Sequence, residues 1–193
     1  VGTLVVSLAT KDLAAQVVSG MVLSASDRFY EGDEIELGDG THGIITRMGI
    51  MHTDLRGGDE IITRIPNTQI ATQRAQNYNR VSKCQVKQTL WFGYKDVMKM
   101  DKVVSEIKEE IKLSCPELIL DGSRPFRVHW RDFKQDHLEV IVDCHFNLKP
   151  VGDAYFNNRQ RVLEAIARAV HRLEVEFTLP TQICAKEGSK AWA

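Results

Sequence analysis

The side chains best suited to chemistry in this chain are six histidines and four cysteines, and their spacing argues against a ready-made catalytic or metal centre. His42, His52, His129, His137, His145 and His171 form no close His-x-x-x-His or His-Cys pair, so a zinc-type ligand set would have to be assembled by folding. His52-x-Asp54 comes nearest to a ligand pair. At that spacing both side chains share one face of a strand, and a polar strand surface accounts for them more cheaply. An enzyme built on His52, Asp54 and Asp59 has no motif behind it: the chain lacks Gly-x-x-x-x-Gly-Lys-Ser/Thr, Gly-x-Gly-x-x-Gly and Gly-x-Ser-x-Gly. Cys84, Cys115, Cys144 and Cys184 lie far apart with no CxxC pair, which reads as separate packed thiols in a reducing compartment. No cofactor is expected. Trp91, Phe92, Tyr94, Trp130 and Phe133 are able to stack on bases, but aromatic residues on strands more often serve a core or an interface.

The elements that would carry these residues follow from composition and periodicity. With 193 residues, 43% hydrophobic and 26% charged, the chain has globular composition and room for one to two domains. A net charge of −1 argues against broad electrostatic attraction to nucleic acid. Residues 1 to about 28 read as one long helix or two abutting ones, without proline. Lys11-Asp12 interrupts its apolar run, so it lacks the eighteen or more uninterrupted apolar residues of an obvious membrane span. Leu4, Leu8, Lys11, Ala15, Val18 and Val22 fall on one helical face. Gly2, Ser7, Ala9, Ala14, Ser19 and Gly20 supply small residues elsewhere, and small residues let helices approach closely in membranes.

From about residue 30 the pattern changes to short strands punctuated by glycine. Gly32-Asp33 makes a turn into Ile35 and Leu37, and Gly38-Asp39-Gly40 makes a hairpin into Gly43-Ile44-Ile45. Gly57-Gly58-Asp59 joins Ile50-to-Leu55 to Ile61-to-Ile65 as a second hairpin. Pro66 ends the ladder, Asn67 satisfies its own backbone in the following turn, and Asn77 follows ten residues later. The stretch through Pro66-Asn67 reads as the last strand and exit of a small β-barrel.

Beyond Val81 the order is strand, helix, strand, strand, helix, as in a split βαβ layer. Val86 to Phe92 is a strand, and Val97, Met100, Val104, Ile107 and Ile111 recur at helical spacing. Asp96 or Asp101 is placed to cap or charge that helix. Val128-His129-Trp130 turns through Lys134-Gln135-Asp136 into a strand alternating between buried Leu138, Val140, Val142, Cys144, Phe146 and Leu148 and wetter Glu139, Asp143, His145 and Asn147. Val162, Leu163, Ile166, Val170 and Leu173 form the apolar stripe of a last helix. Ile183 to Ala185 is a short terminal strand candidate.

Phe29, Gly32-Asp33, Gly43-Ile44-Ile45, Thr53-Asp54-Leu55-Arg56, Pro66-Asn67 and Asn77-Tyr78-Asn79-Arg80, in this order and spacing, resemble the middle domain of the small-conductance mechanosensitive (MscS-like) channel family. The resemblance implies a channel and not an enzyme. It implies an α+β chain with an N-terminal pore-lining transmembrane helix over 1–29, an Sm-like β-barrel over 30–80, a ferredoxin-like α/β domain over 81–180, and a strand and tail over 181–193. Leu4 and Leu8 fall at the family's apolar constriction, with Lys11 and Ala15 lining the pore. Gly32, Asp33, Pro66, Asn67 and Asn77 are the family-motif positions.

Two departures alter this picture. The Arg-Pro-Phe usual before the barrel is Asp27-Arg28-Phe29 here. The usual glycine kink is Asp12, which as an N-cap would start a new helix after a break, with Gly20 as a second kink position; the Lys11-Asp12 pair resembles the organellar branch.

The expected partners are further copies of the chain, as a homo-heptamer, a lipid bilayer, and permeating ions, with a Lys11 ring favouring anions; nucleic acid is not expected. The location is a plasma or organellar inner membrane, with residues from about 30 onward on the cytoplasmic or matrix/stromal side. A chain opening on Val1 reads as a fragment or processed product, with further membrane helices upstream. The alternative is a soluble Sm-like nucleic-acid-binding module.

Overall fold

A computed structural model describes residues 2–178, with the side chains of residues 2–9, 12, 13 and 24 outside the description. The terminal strand expected at Ile183 to Ala185 and the tail over 181–193 also lie outside it, as does Cys184. The chain divides into two compact units, one built on the residues up to Ser82 with Lys149–Val151, the other on Lys83–Leu148 and the residues from Gly152 onward.

The first unit opens with helix α1, Gly2–Ala25. It runs without interruption through residues 12 and 20, so the break expected at Asp12 is not found. Alanine, leucine and valine carry the helix, and with no proline there is nothing to force a break. Among the described residues no helix is long and apolar enough to cross a membrane.

After α1 come β1 (Glu34–Leu37), β2 (His42–Met48), β3 (His52–Arg56), β4 (Ile62–Pro66), the short helix α2 (Asn67–Thr72) and β5 (Ala75–Asn77). They form one antiparallel sheet in the order β4-β3-β2-β1-β5. Alternation sets the inner face: Ile35, Leu37, Ile45, Leu55 and Ile65 point into a core that α2 joins through Ile70 and α1 through Leu23. Both expected hairpins are present, closed by Gly40 N–H to the Leu37 carbonyl (2.9 Å) and Gly57 N–H to the Ile61 carbonyl (2.9 Å). The sheet does not end at Pro66, however. Pro66 pairs with His52 on the edge strand β4, where a missing amide hydrogen is tolerated, and then leads directly into α2. The fifth strand follows, with Asn77 opposite Ile35.

The second unit consists of β6 (Cys84–Phe92), a 3₁₀ turn (Tyr94–Lys99), α3 (Met100–Ser114), β7 (Arg127–Phe133), β8 (Leu138–Phe146) and α4 (Gly152–Arg172). Its antiparallel sheet has the order β6-β8-β7. Val140, Val142, Cys144 and Phe146 of β8 are fully covered by Met100, Val103, Ile107 and Ile111 of α3 and by Val162, Ala165, Ile166 and Ala169 of α4, all in one core. Burial pushes the Cys144 thiol up to about 12, which makes it inert packing. Asp101 stands in the first turn of α3, where its charge suits the helix dipole, but neither it nor Asp96 caps the helix: the N-cap is Lys99, without a side-chain cap bond. Asp96 is instead buried in the 3₁₀ turn, 3.7 Å from Lys99 Nζ. Leu163 is 44% exposed, off the stripe predicted for it. Phe177 bridges Phe92 at the free edge of β6.

Candidate functional site

The motif residues of the first unit assemble into two clasps. The first closes the corner between α1 and the sheet. Gly32 adopts φ +92°, a conformation that costs a side-chain-bearing residue but not glycine. Its N–H reaches the Ile45 carbonyl at 2.7 Å, while Ile45 N–H returns to the Asp33 carbonyl at 2.9 Å. Asp33, nearly buried, uses Oδ2 to accept from Tyr30 N–H (3.0 Å) and from Asn77 Nδ2 (2.7 Å). Asn77 Oδ1 accepts from the amides of Asn79 (3.0 Å) and Arg80 (3.3 Å), and Asn79 Nδ2 donates to the Gly32 carbonyl at 2.9 Å. The turn leading into the sheet and the strand leaving it are thus locked to each other. In place of a proline, the corner turns at Asp27, which sits at φ 50° and accepts from Tyr30 Oη at 2.6 Å. That bond raises the Tyr30 phenol pKa.

The second clasp joins α1 to the sheet. Asn67, 1% exposed, donates through Nδ2 to the carbonyls of Gly49 and Ile50, both at 2.9 Å, and accepts from Thr53 Oγ1 at 2.8 Å. Its N–H donates to the Met51 carbonyl at 2.9 Å. Asn67 does not satisfy its own backbone, as expected from sequence, but pins the β2–β3 turn. That turn receives α1 at Gly20, where an added Cβ would lie 1.9 Å from the Ile50 carbonyl oxygen and 2.7 Å from Asn67 Nδ2. Gly20 is therefore a close-approach residue in a continuous helix and not a kink.

Of the remaining predicted site residues, Lys11 and Ala15 are exposed, as are Val18 and Val22 on the same face; the side chains of Leu4, Leu8 and Asp12 lie outside those described. The structure thus brings together Gly20, Pro66 and Asn67 in one place and Gly32, Asp33 and Asn77 in another. His52 and Asp54 take other roles. Asp54 pairs with Arg64 at 2.8 Å, and that bond holds its carboxyl below the usual range. Asp59 accepts from the Ile61 amide within the hairpin. Among the described residues no group of three or more His, Cys, Asp or Glu side chains is placed to hold a metal ion. Thr53 and Asn79 belong to the motif stretches singled out in the sequence, but their roles in the clasps were not read there. Thr53 had a signal: it is the one polar residue at an inward position of β3, where a hydroxyl needs a partner.

A helix thus docks through a glycine onto a small antiparallel sheet whose exit strand is clasped to its inlet turn. Residues 12–80 match the family described as mechanosensitive ion channel, beta-domain. Over those residues the chain resembles that family, and its relatives over most of its length are mechanosensitive channels. It is 24% identical over 92% of its length to the large-conductance mechanosensitive channel MscMJLR of Methanocaldococcus jannaschii, covering 46% of that protein. It is 25% identical over 94% of its length to the small-conductance channel MscMJ of the same organism, covering 50% of it. The chain thus spans about half the length of these curated relatives. In fold it is similar to the closed-state crystal structure of Helicobacter pylori MscS, with a TM-score of 0.81 at 22% identity over 96% of this chain and 70% of that one.

Proposed function

We propose that this chain is part of a subunit of a tension-gated ion channel that releases ions and small osmolytes under hypo-osmotic stress. The observation that carries the reading is the β-domain match, which begins inside α1 and runs through both clasps to Arg80. In this reading α1 lines a water-filled pore behind lipid-facing helices, so its mixed composition fits: one face meets water and needs no membrane-grade apolarity. Leu4 and Leu8 form the constriction, Lys11 and Ala15 line the path below it, the first unit is an Sm-like barrel, and the second is a ferredoxin-like layer. Seven copies close the ring in a plasma or organellar inner membrane, with residues from about 30 onward on the cytoplasmic or matrix/stromal side. Bilayer tension favours the state of larger area, and a leucine ring closes the narrower state by dewetting.

Patch-clamp recording of the full-length protein tests this. Leu8→Ser hydrates the constriction and lowers the tension threshold, while Leu8→Val changes it little; an unchanged threshold for Leu8→Ser removes Leu8 from the gate.

A further inference from the structure

The first unit carries a pocket of about 350 Å3 where α2, β5 and the segment following α1 meet. Its wall has two guanidinium groups, Arg28 and Arg80, an amide, Gln73, and an apolar floor of Phe29, Ile70 and Ala75. No carboxylate lines it. Nearby acids are engaged elsewhere: Asp27 with the Tyr30 hydroxyl, Asp33 with Asn77 and the Tyr30 amide, and Asp39 with Gln73 Nε2 at 3.2 Å and Gln69 Nε2 at 3.1 Å. Arg80 lies over the Tyr30 ring, 5.2 Å from its centroid, which orients the guanidinium plane, and neither arginine forms an ion pair among the described residues. Gln73 Nε2 donates to Asp39, while its carbonyl Oε1 is buried without a hydrogen-bond partner among the described residues. A buried acceptor without a donor is costly.

We infer that this pocket binds the phosphate of a hydroxyl-bearing phosphate ester, with Arg28 and Arg80 taking the phosphate and Gln73 Oε1 accepting from the hydroxyl. Guanidinium forks match phosphate oxygens in pairs. The apolar floor suits a short carbon skeleton such as glycerol, and the same chemistry is offered by a free glycerol phosphate and by a phosphatidylglycerol headgroup. Bound there, the ligand would staple the residues after α1 to the exit strand, beside the Asp33–Asn77 clasp. The inference does not depend on the pore reading.

The test uses delipidated full-length protein in detergent, titrated with glycerol 3-phosphate and separately with phosphatidylglycerol, with affinity read by calorimetry. Binding of glycerol 3-phosphate identifies a free ester as the ligand, and binding of phosphatidylglycerol alone identifies the headgroup. In either arm Arg28→Gln with Arg80→Gln weakens binding by about tenfold or more, Gln73→Met weakens it less, and the double lysine variant retains most of it, a control for folding. No binding of either probe to the parent protein, or equal affinity in parent and double glutamine variant, overturns the assignment.

Discussion

At Gly20 two effects of opposite sign compete. Helix propensity alone makes Gly20→Ala stabilising by about 1 kcal/mol. The added methyl, however, would stand 1.9 Å from the Ile50 carbonyl oxygen, and this is backbone held by Asn67, not the tip of a flexible side chain. Overpacking of that kind costs about 1–3 kcal/mol, so steric exclusion wins. The expected outcome is a lower unfolding midpoint for Gly20→Ala, together with looser docking of α1 seen as faster hydrogen exchange in the β2–β3 turn. A midpoint above that of the parent protein would show that α1 does not bear on Ile50. Asn67 works by the same logic: its amide joins Gly49, Ile50 and Thr53, and none of those contacts is local in sequence. That is why the residue's type hinted at a turn while its role lay eighteen residues away.

Elements were legible in proportion to their length and regularity. β8 alternates along its nine residues except at buried Ile141, and α3 and α4 carry apolar stripes broken at exposed Leu163, so the second unit's long strands and helices were visible in the periodicity. The six residues of α2 and the three of β5 are too short to show a period, so Pro66-Asn67 read as the end of a barrel when it is the start of a helix leading to the sheet's fifth strand. Contacts between helices were equally hidden. Glu110 of α3 is 7% exposed and meets Arg172 at 2.6 Å and Arg168 at 3.3 Å on α4, and these two guanidiniums, Arg172 foremost, hold its carboxyl below the usual range. A carboxyl depressed in the folded state stabilises fully above its unfolded pKa of about 4.3, and the contribution is lost as pH falls through the folded value. Both arginines are about half exposed, so solvent screening keeps the effect to about 1 kcal/mol or less. Glu110→Gln is expected to lower the unfolding midpoint at pH 7 and to flatten its decline below about pH 4.3. Parallel pH profiles for variant and parent would remove Glu110 from the acid sensitivity of the second unit.

At the scale of the whole molecule, the chain leaves surfaces that a single copy cannot satisfy. The first sheet ends in two edges, β4 and β5, and edges of this kind call for a partner or protection. The α1 face bearing Lys11, Ala15, Val18 and Val22 is exposed, with Val18 at 58% and Val22 at 56%. A closed ring of identical helices gives that face either a neighbour or an aqueous path. Lys11 decides which, because it shares the face with Ala15 and, by helical spacing, with Leu4 seven residues earlier. If the face lines the pore, a ring of ammonium groups stands one turn below the constriction, where its field favours anions. If it does not, the lysine extends into solvent away from the path and has no influence on which ions pass. Reversal potentials of the full-length channel in asymmetric salt separate these outcomes. Lys11→Glu is expected to shift the reversal potential toward that of cations, and Lys11→Gln to bring it part of the way. Identical potentials in parent and Lys11→Glu would place selectivity elsewhere and turn this face of α1 away from the permeating ions.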